Sequence, residues 1–208
     1  KTLMSVSDNI ANLNHHRFQN FDTSKYNRSN AKQALYALRG DAYRALDADT
    51  LKPAAIDFLQ EHLIILSGLY GYLRPLDLIQ PYRLEMKIKL KNPKGKDLYE
   101  FWGDKIAKAL DKKLQTHKNK TIINLASGEY FKAVEGKTSA PIITVALKEK
   151  KNGSYKTIGI HAKRARGMMT RYIAEKKIDT PEKLKAFGEG GYRFHEGMSE
   201  EALFTFIR

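Results

Sequence analysis

PIITVALKEKKNGSYKTIGI, residues 141–160, is the stretch that decides the fold class. Two apolar-rich runs, 141–150 and 155–161, flank Lys151-Asn152-Gly153-Ser154. Asn-Gly between apolar runs is the strongest short-range hairpin signal, because both central residues of the matching turn need positive φ. Downstream, a helix is predicted from about Lys163 to Lys177, and Thr180-Pro181 opens another with a cap and a first-turn proline. Short strands are predicted near 191–195 and 203–207. Upstream, Thr121–Ala126 reads as a short buried strand, and Glu129–Val134 as a brief helix. Strands mixed with helices, without regular βαβ alternation, imply an α+β fold: a mixed or mostly antiparallel sheet flanked by helices.

Further from that stretch, residues 83–91 carry the clearest period-two pattern. Leu84, Met86, Ile88 and Leu90 alternate with Arg83, Glu85, Lys87, Lys89 and Lys91, which predicts a strand with one apolar and one mainly cationic face. Asn92-Pro93-Lys94-Gly95 is a turn, and Leu98, Phe101, Trp102, Ile106, Ala109, Leu110 and Leu114 mark one amphipathic helix. The first 66 residues read as helical. Ser29 or Asn30 caps a helix through Ala31, Ala34, Leu35 and Leu38; Gly40 breaks it, and a second short helix runs to Leu46. Pro53 starts another helix over PAAIDFLQEHLIIL, after which residues 67–75 read as irregular chain punctuated by Gly and Pro. No repeat or linker interrupts the 208 residues, so one domain is expected, helical over about 1–66 and α+β over about 67–208. The chain opens at Lys1-Thr2-Leu3 without an initiator methionine, which is consistent with a fragment.

There are 37 basic and 23 acidic residues, a formal charge of +14, and no cysteine. Zero cysteine removes disulfides, thiolate zinc sites, iron–sulfur clusters and thiol catalysis together. No apolar run approaches the roughly 20 residues of a membrane helix. Residues 1–70 carry a net +1, residues 71–140 a net +7 and residues 141–208 a net +6, so the excess lies in the last two-thirds. Such a surplus points to a polyanionic partner, or to a basic protein kept soluble by its lysines.

Two basic surfaces stand out. On the helix at 163–177, Ala165, Met168, Met169, Tyr172 and Ile173 form one apolar stripe, with Lys163, Arg164, Arg166, Arg171 and Lys177 on its flanks and back. Guanidinium groups there match phosphate geometry, the plain alternative being an ordinary solvated face. Lys87, Lys89 and Lys91 form the second. The segment Ala31–Leu46, with Arg39 and Gly40 at its bend, reads either as a plain αα-turn or as a helix-hairpin-helix, whose backbone N–H groups hold a DNA phosphate.

His15, His16, His62, His117, His161 and His195 show no metal-ligand spacing, and neither a metal nor a cofactor is expected. Phosphate loops and the Gly-x-Ser-x-Gly elbow are absent. Two polar clusters remain. Arg74, Asp77, Arg83 and Glu85 sit among prolines, where Arg74 and Asp77 could simply clamp a loop. Asn124, Ser127, Glu129, Tyr130 and Lys132 sit at a strand-to-helix junction, where sites often form and where Ser127 could simply cap a helix.

These residues carry a family resemblance. LSGLYGYLRPLDLIQPYRLEM (66–86), GKDLYEFWGDKI (95–106), INLASGEYFKAV (123–134), HAKRARGMMTRYI (161–173) and GYRF (191–194) resemble the YaaA-type peroxide stress resistance proteins. That family normally begins with a further segment carrying an Ile-Ser-Pro-Ala-Lys-Thr signature, and this chain starts after it. The resemblance implies a cytoplasmic bacterial protein, induced by hydrogen peroxide, that limits damage by lowering unincorporated iron. It also implies an unusual α+β fold with a positively charged cleft and a helix-hairpin-helix, binding duplex and branched DNA. Carried over by position, Lys163, Arg164, Arg166 and Arg171 become the DNA-contact candidates, with Lys87, Lys89, Lys91, Arg39 and Gly40 beside them.

The expectation is therefore a monomeric DNA-binding protein of the oxidative stress response, more a binder than an enzyme, holding the phosphate backbone with little sequence preference and no membrane attachment. The alternative is an enzyme acting on a small nucleotide-like anion. In it Glu129 is the general base, Arg74 or Lys132 the anion clamp, and Asn124, Ser127, Tyr130, Asp77, Arg83 and Glu85 complete the pocket.

Overall fold

The computed structural model describes residues 2–208. In chain order its α-helices are α1 (Asp8–Gln19), α2 (Ala34–Ala37), α3 (Asp41–Leu46), α4 (Pro53–His62), α5 (Leu98–Trp102), α6 (Lys105–Leu114), α7 (Gly128–Phe131) and α8 (Gly159–Lys176). The strands are β1 (Lys32–Gln33), β2 (Ile65–Ser67), β3 (Gly71–Leu73), β4 (Leu78–Ile79), β5 (Ile122–Asn124), β6 (Ile142–Lys151), β7 (Ser154–Lys156), β8 (Arg193–Phe194) and β9 (Leu203–Ile207). The α+β expectation holds. The chain forms two compact units: one from the stretch ending at Ala37 with Leu63–Leu110 and Ser127–Thr138, the other from Leu38–His62, Asp111–Ala126 and Ser139–Arg208.

In the first unit, Met86, Ile88, Leu98, Ile106, Ala107, Ala133 and Val134 form the core. The strand expected over 83–91 is not one. Ile88 N donates to Glu85 O, Leu90 N to Ile88 O, and Lys87 N to the Glu129 carboxylate, so no ladder runs along the segment. Its alternation is real in burial alone. Met86 and Ile88 are buried and Lys87, Lys89 and Lys91 exposed, because one side of a turning, unpaired segment lies on a core.

The helix expected through Leu66 stops at His62, and residues 65–73, expected to be largely irregular, form the antiparallel hairpin β2–β3. Ser67 Oγ organises its loop by accepting from Leu69 N at 3.2 Å and Tyr70 N at 2.9 Å. Gly71 follows with φ 72° and lies flat against the Trp102 ring, while Trp102 Nε1 donates to Gly68 O at 3.0 Å. The single helix expected over 98–114 is two, parted at Gly103 (φ 55°, ψ −120°). Lys32 and Gln33, expected to be helical, pair with Ile79 and Leu78 as β1–β4, which shortens the following helix to the single turn of α2. Gly40 precedes α3 with extended φ/ψ of −66° and 166°.

The second unit is built on a mixed sheet of order β5-β6-β9-β8. Its β5/β6 and β6/β9 pairs are parallel, β8/β9 is antiparallel, and β7 is hairpinned to β6. Asn152 (φ 52°) and Gly153 (φ 79°) close that hairpin with two left-handed residues, as the Asn-Gly pair requires. Val145, Leu147, Phe204 and Phe206 from the sheet meet Ala162, Ala165 and Met169 of α8, with Leu184, Phe187 and Tyr192 completing the core. The second strand ends at Lys156 rather than 161, and α8 begins four residues earlier than expected. His161 is there drawn onto β6, its Nδ1 2.9 Å from Glu149 Oε2. The helix opened by Pro181 is 3-10 over Pro181–Ala186, with Lys183 N bonding Thr180 O.

Candidate functional site

The helix α8 holds most of the basic candidates, and the structure sorts them into three fates. Lys163 and Arg164 are exposed. Arg171 is turned inward: its Nη1 donates to Leu46 O and Asp47 O, both at 3.1 Å, and to Thr50 Oγ1 at 2.8 Å, while its Nη2 pairs with Glu175 at 2.8 Å. Arg166 is half-buried, and its Nε is buried with no hydrogen-bond partner among the described residues. Burial lowers its pKa below the ordinary arginine value. The helix sits close on α3 at Gly167, where a Cβ would collide with the Ala42 carbonyl.

The second basic surface, in the first unit, is only partly cationic. Lys87 Nζ lies 3.5 Å from Glu85 and 3.7 Å from Glu129, and Arg83 pairs with Glu85 at 2.7 Å. Lys89 and Lys91 are exposed. Arg39, in the second unit, lies 4.0 Å from Asp49, both side chains being largely in solvent. A feature the sequence reading missed is the pair Lys94 and Lys105. Both ammonium groups lie over the Phe101 ring, at 4.7 and 5.9 Å, and the Lys105 ammonium lowers the Lys94 pKa. Eleven residues apart and separated by a helix break, they carry no periodic signal.

The polar cluster at Glu129 is held by contacts with Lys87 and Tyr99. The Glu129 carboxylate accepts from Lys87 N at 3.3 Å and its carbonyl from Tyr99 OH at 2.9 Å, while Lys132 Nζ sits 5.0 Å over the Tyr99 ring. Burial, and then the Glu129 charge, push the Tyr130 phenol well above the ordinary tyrosine value. Ser127 stands at the N-cap of α7 but makes no side-chain cap bond. Asn124, in the second unit, spends its amide on local order: Oδ1 accepts from Ala126 N at 3.0 Å and Nδ2 donates to Thr144 Oγ1 at 3.3 Å. Arg74 and Asp77 form the loop clamp, with Nε and Nη2 at 3.1 and 3.0 Å from Oδ1 and Arg74 N at 2.8 Å from Oδ2. The Glu129 carboxylate is thus tied to Lys87 through both its backbone N–H and its ammonium group.

The sequence reading also missed two networks. Ser67 Oγ and Tyr82 OH are 2.6 Å apart, the Tyr70 and Tyr82 rings meet edge to face at 5.3 Å, and Gln80 N donates to Tyr70 OH. In the second unit, the Glu149 carboxylate accepts from Tyr192 OH at 2.8 Å and Arg208 Nη2 at 2.9 Å besides meeting His161. A lone glutamate in the lysine run 148–151 was the available sign of the second. Among the described residues, no group of three or more His, Asp or Glu side chains could hold a metal ion, and no helix is long and apolar enough to cross a membrane.

Fold and surface together define a basic α+β protein with a mixed sheet, whose longest helix carries exposed cations. The chain belongs to the peroxide stress protein YaaA family, whose model matches residues 1–198. Relatives of the UPF0246 group are similar over nearly all of it. One from Acaryochloris marina is 51% identical over 207 residues, covering 99% of this chain and 81% of the relative. One from a Shewanella species is 52% identical over 208 residues, covering 100% and 80%. One from Paraburkholderia phytofirmans is 49% identical over 210 residues, covering 100% and 80%.

Proposed function

We propose that this peroxide stress family member binds DNA by its phosphate backbone, as a cytoplasmic monomer with little sequence preference. The observation that carries the reading is the first half of α8. Lys163 and Arg164 are exposed there, and no acidic residue occurs on the helix before Glu175, which is already held by Arg171. The exposed Lys89 and Lys91, and the Lys94/Lys105 pair, add cations of the same kind in the first unit. Lysine and arginine contacts to phosphate release condensed counterions, so such binding is strong at low salt and sequence-tolerant.

The test is duplex binding measured across a salt series. The expected result is a linear fall of log K with log salt, and a slope shallower by about 0.9 for each phosphate contact removed in a Lys163→Ala/Arg164→Ala double variant. Wild-type affinity that ignores salt would overturn the reading. An unchanged slope in the double variant would remove α8 from the interface.

A further inference from the structure

His161 and Arg164 stand at i and i+3 on α8, on one side of the helix, and Arg164 is exposed. The His161 ring is anchored at one nitrogen: its Nδ1 lies 2.9 Å from Glu149 Oε2 on β6. The Glu149 side chain is 12% exposed against 39% for His161, and its other oxygen accepts from Tyr192 OH and Arg208 Nη2. These donors hold the Glu149 carboxyl below its usual pKa, so it is ionised at neutral pH. An ionised carboxylate can only accept, and Nδ1 therefore carries the ring hydrogen. A neutral imidazole has one such hydrogen, which leaves Nε2 as a bare lone pair. Nε2 makes no hydrogen bond among the described residues and is not one of their buried unpartnered atoms, so it is open to solvent.

A phosphodiester oxygen also only accepts. It has nothing to gain from the neutral ring, whereas the imidazolium presents a second N–H at Nε2. Elsewhere a neutral histidine meets phosphate as its Nε2–H tautomer, and the bond to Glu149 removes that route here. The proton also adds net charge, because Glu149 is already paired with Arg208 at 2.9 Å. A protonated His161 is thus a surplus cation beside Arg164. The other titratable groups around the carboxylate are the Tyr192 phenol, which burial keeps neutral, and Lys156, which faces Glu149 across the β6/β7 ladder. Neither brings a negative charge.

We propose that His161, with Arg164 beside it, contacts the nucleic-acid backbone and does so only as the imidazolium, so that duplex binding takes up a proton. The inference rests on the phosphate-binding reading above and goes beyond it by adding a residue to the interface and tying affinity to pH.

Duplex affinity of the full chain at fixed salt, measured from about pH 8 to about pH 5.5 in wild type, His161→Asn and His161→Gln, tests it. Asparagine keeps an amide N–H for Glu149 and lacks Nε2, while glutamine places at Nε2 a donor that does not titrate. Wild type is expected to match His161→Asn at the upper end. Over the range it gains at least about tenfold more affinity, the equivalent of one charge-assisted hydrogen bond. Its salt slope at the acid end is steeper than that of His161→Asn by about 0.9, one further phosphate contact. His161→Gln lacks the extra gain. The other five histidines are common to all three proteins, so the difference belongs to His161. In wild type alone, the His161 ring signals followed by NMR titrate at higher pH with duplex than without, an arm that requires no variant to fold. Equal pH profiles in wild type and His161→Asn, or ring signals that duplex leaves unmoved, overturn the contact while salt-dependent DNA binding stands. Duplex binding that is absent or blind to salt at every pH overturns the DNA reading, and this contact with it.

Discussion

Nη1 of Arg171 donates to the carbonyl oxygen of Leu46 at 3.1 Å and thereby closes the C-terminal end of α3. Asp47 follows in the left-handed conformation, φ 50°, and its carbonyl and Thr50 Oγ1 take the same nitrogen. A cation at a helix C-terminus also meets the negative end of the dipole. Arg171→Ala is therefore expected to lower stability by about 1–3 kcal/mol, the range for losing hydrogen bonds to a charged group. Urea unfolding measures this. The salt slope of duplex binding should not change, and a flatter slope would return Arg171 to the interface.

Gly71 and Trp102 fix the hairpin β2–β3 in the first unit. Gly71 has φ 72°, and a Cβ there would stand 2.6 Å from Cζ3 of the indole. Gly71→Ala combines a left-handed backbone disfavoured by about 1 kcal/mol with overpacking of about 1–3 kcal/mol. The expected loss is about 2–4 kcal/mol. Trp102 is the sole tryptophan, so its emission reports the displacement directly. Unchanged emission and stability would mean that the ring yields freely.

Where chemistry is local, it was legible in the sequence. Asn152-Gly153 announced β6–β7 because positive φ at both positions is a property of those two residues. At residues 83–91 the same kind of pattern misled. Alternation reports which side of a segment meets a core, and Met86 and Ile88 do. It carries no information on whether a second strand lies alongside. Gly103 was passed over within an amphipathic run whose apolar spacing continues across it. The candidate site divides on the same line. Lysines and arginines were countable, but Arg171 is bonded to the end of α3 while the Arg166 Nε is buried without a hydrogen-bond partner among the described residues, and only the fold distinguishes two arginines on one helix. Likewise the pairing of Glu129 with Lys87, 42 residues earlier, had no sign in the sequence.

That pairing yields a prediction about the basic surface of the first unit. Glu129→Gln leaves Lys87 paired with Glu85 and makes the surface one charge more positive. Lys87 is well exposed, so the stability change should stay within about 1 kcal/mol. Duplex affinity at low salt should hold or rise slightly, as read by fluorescence anisotropy. A marked loss of binding would show that Glu129 does more than neutralise Lys87.

Glu149 sets an acid limit on the second unit. Burial alone would raise its pKa, but donation from Tyr192, His161 and Arg208 outweighs that and holds the carboxyl below its usual value near 4.5. A carboxyl with a lower pKa folded than unfolded contributes stability that is fully present above the unfolded pKa and is lost as pH falls through the folded one. The window therefore opens at about pH 4.5 and extends downward. Glu149→Gln is expected to be less stable than wild type at neutral pH, because three donors, Tyr192 just before β8, His161 on α8 and Arg208 at the chain end, lose a charged acceptor. Below about pH 4.5 the two should converge, since the wild-type carboxyl is then being protonated as well. Urea midpoints at pH 7, 5 and 3 measure the gap. A gap that stays constant over that series would mean the carboxylate charge contributes nothing beyond the shape of its side chain.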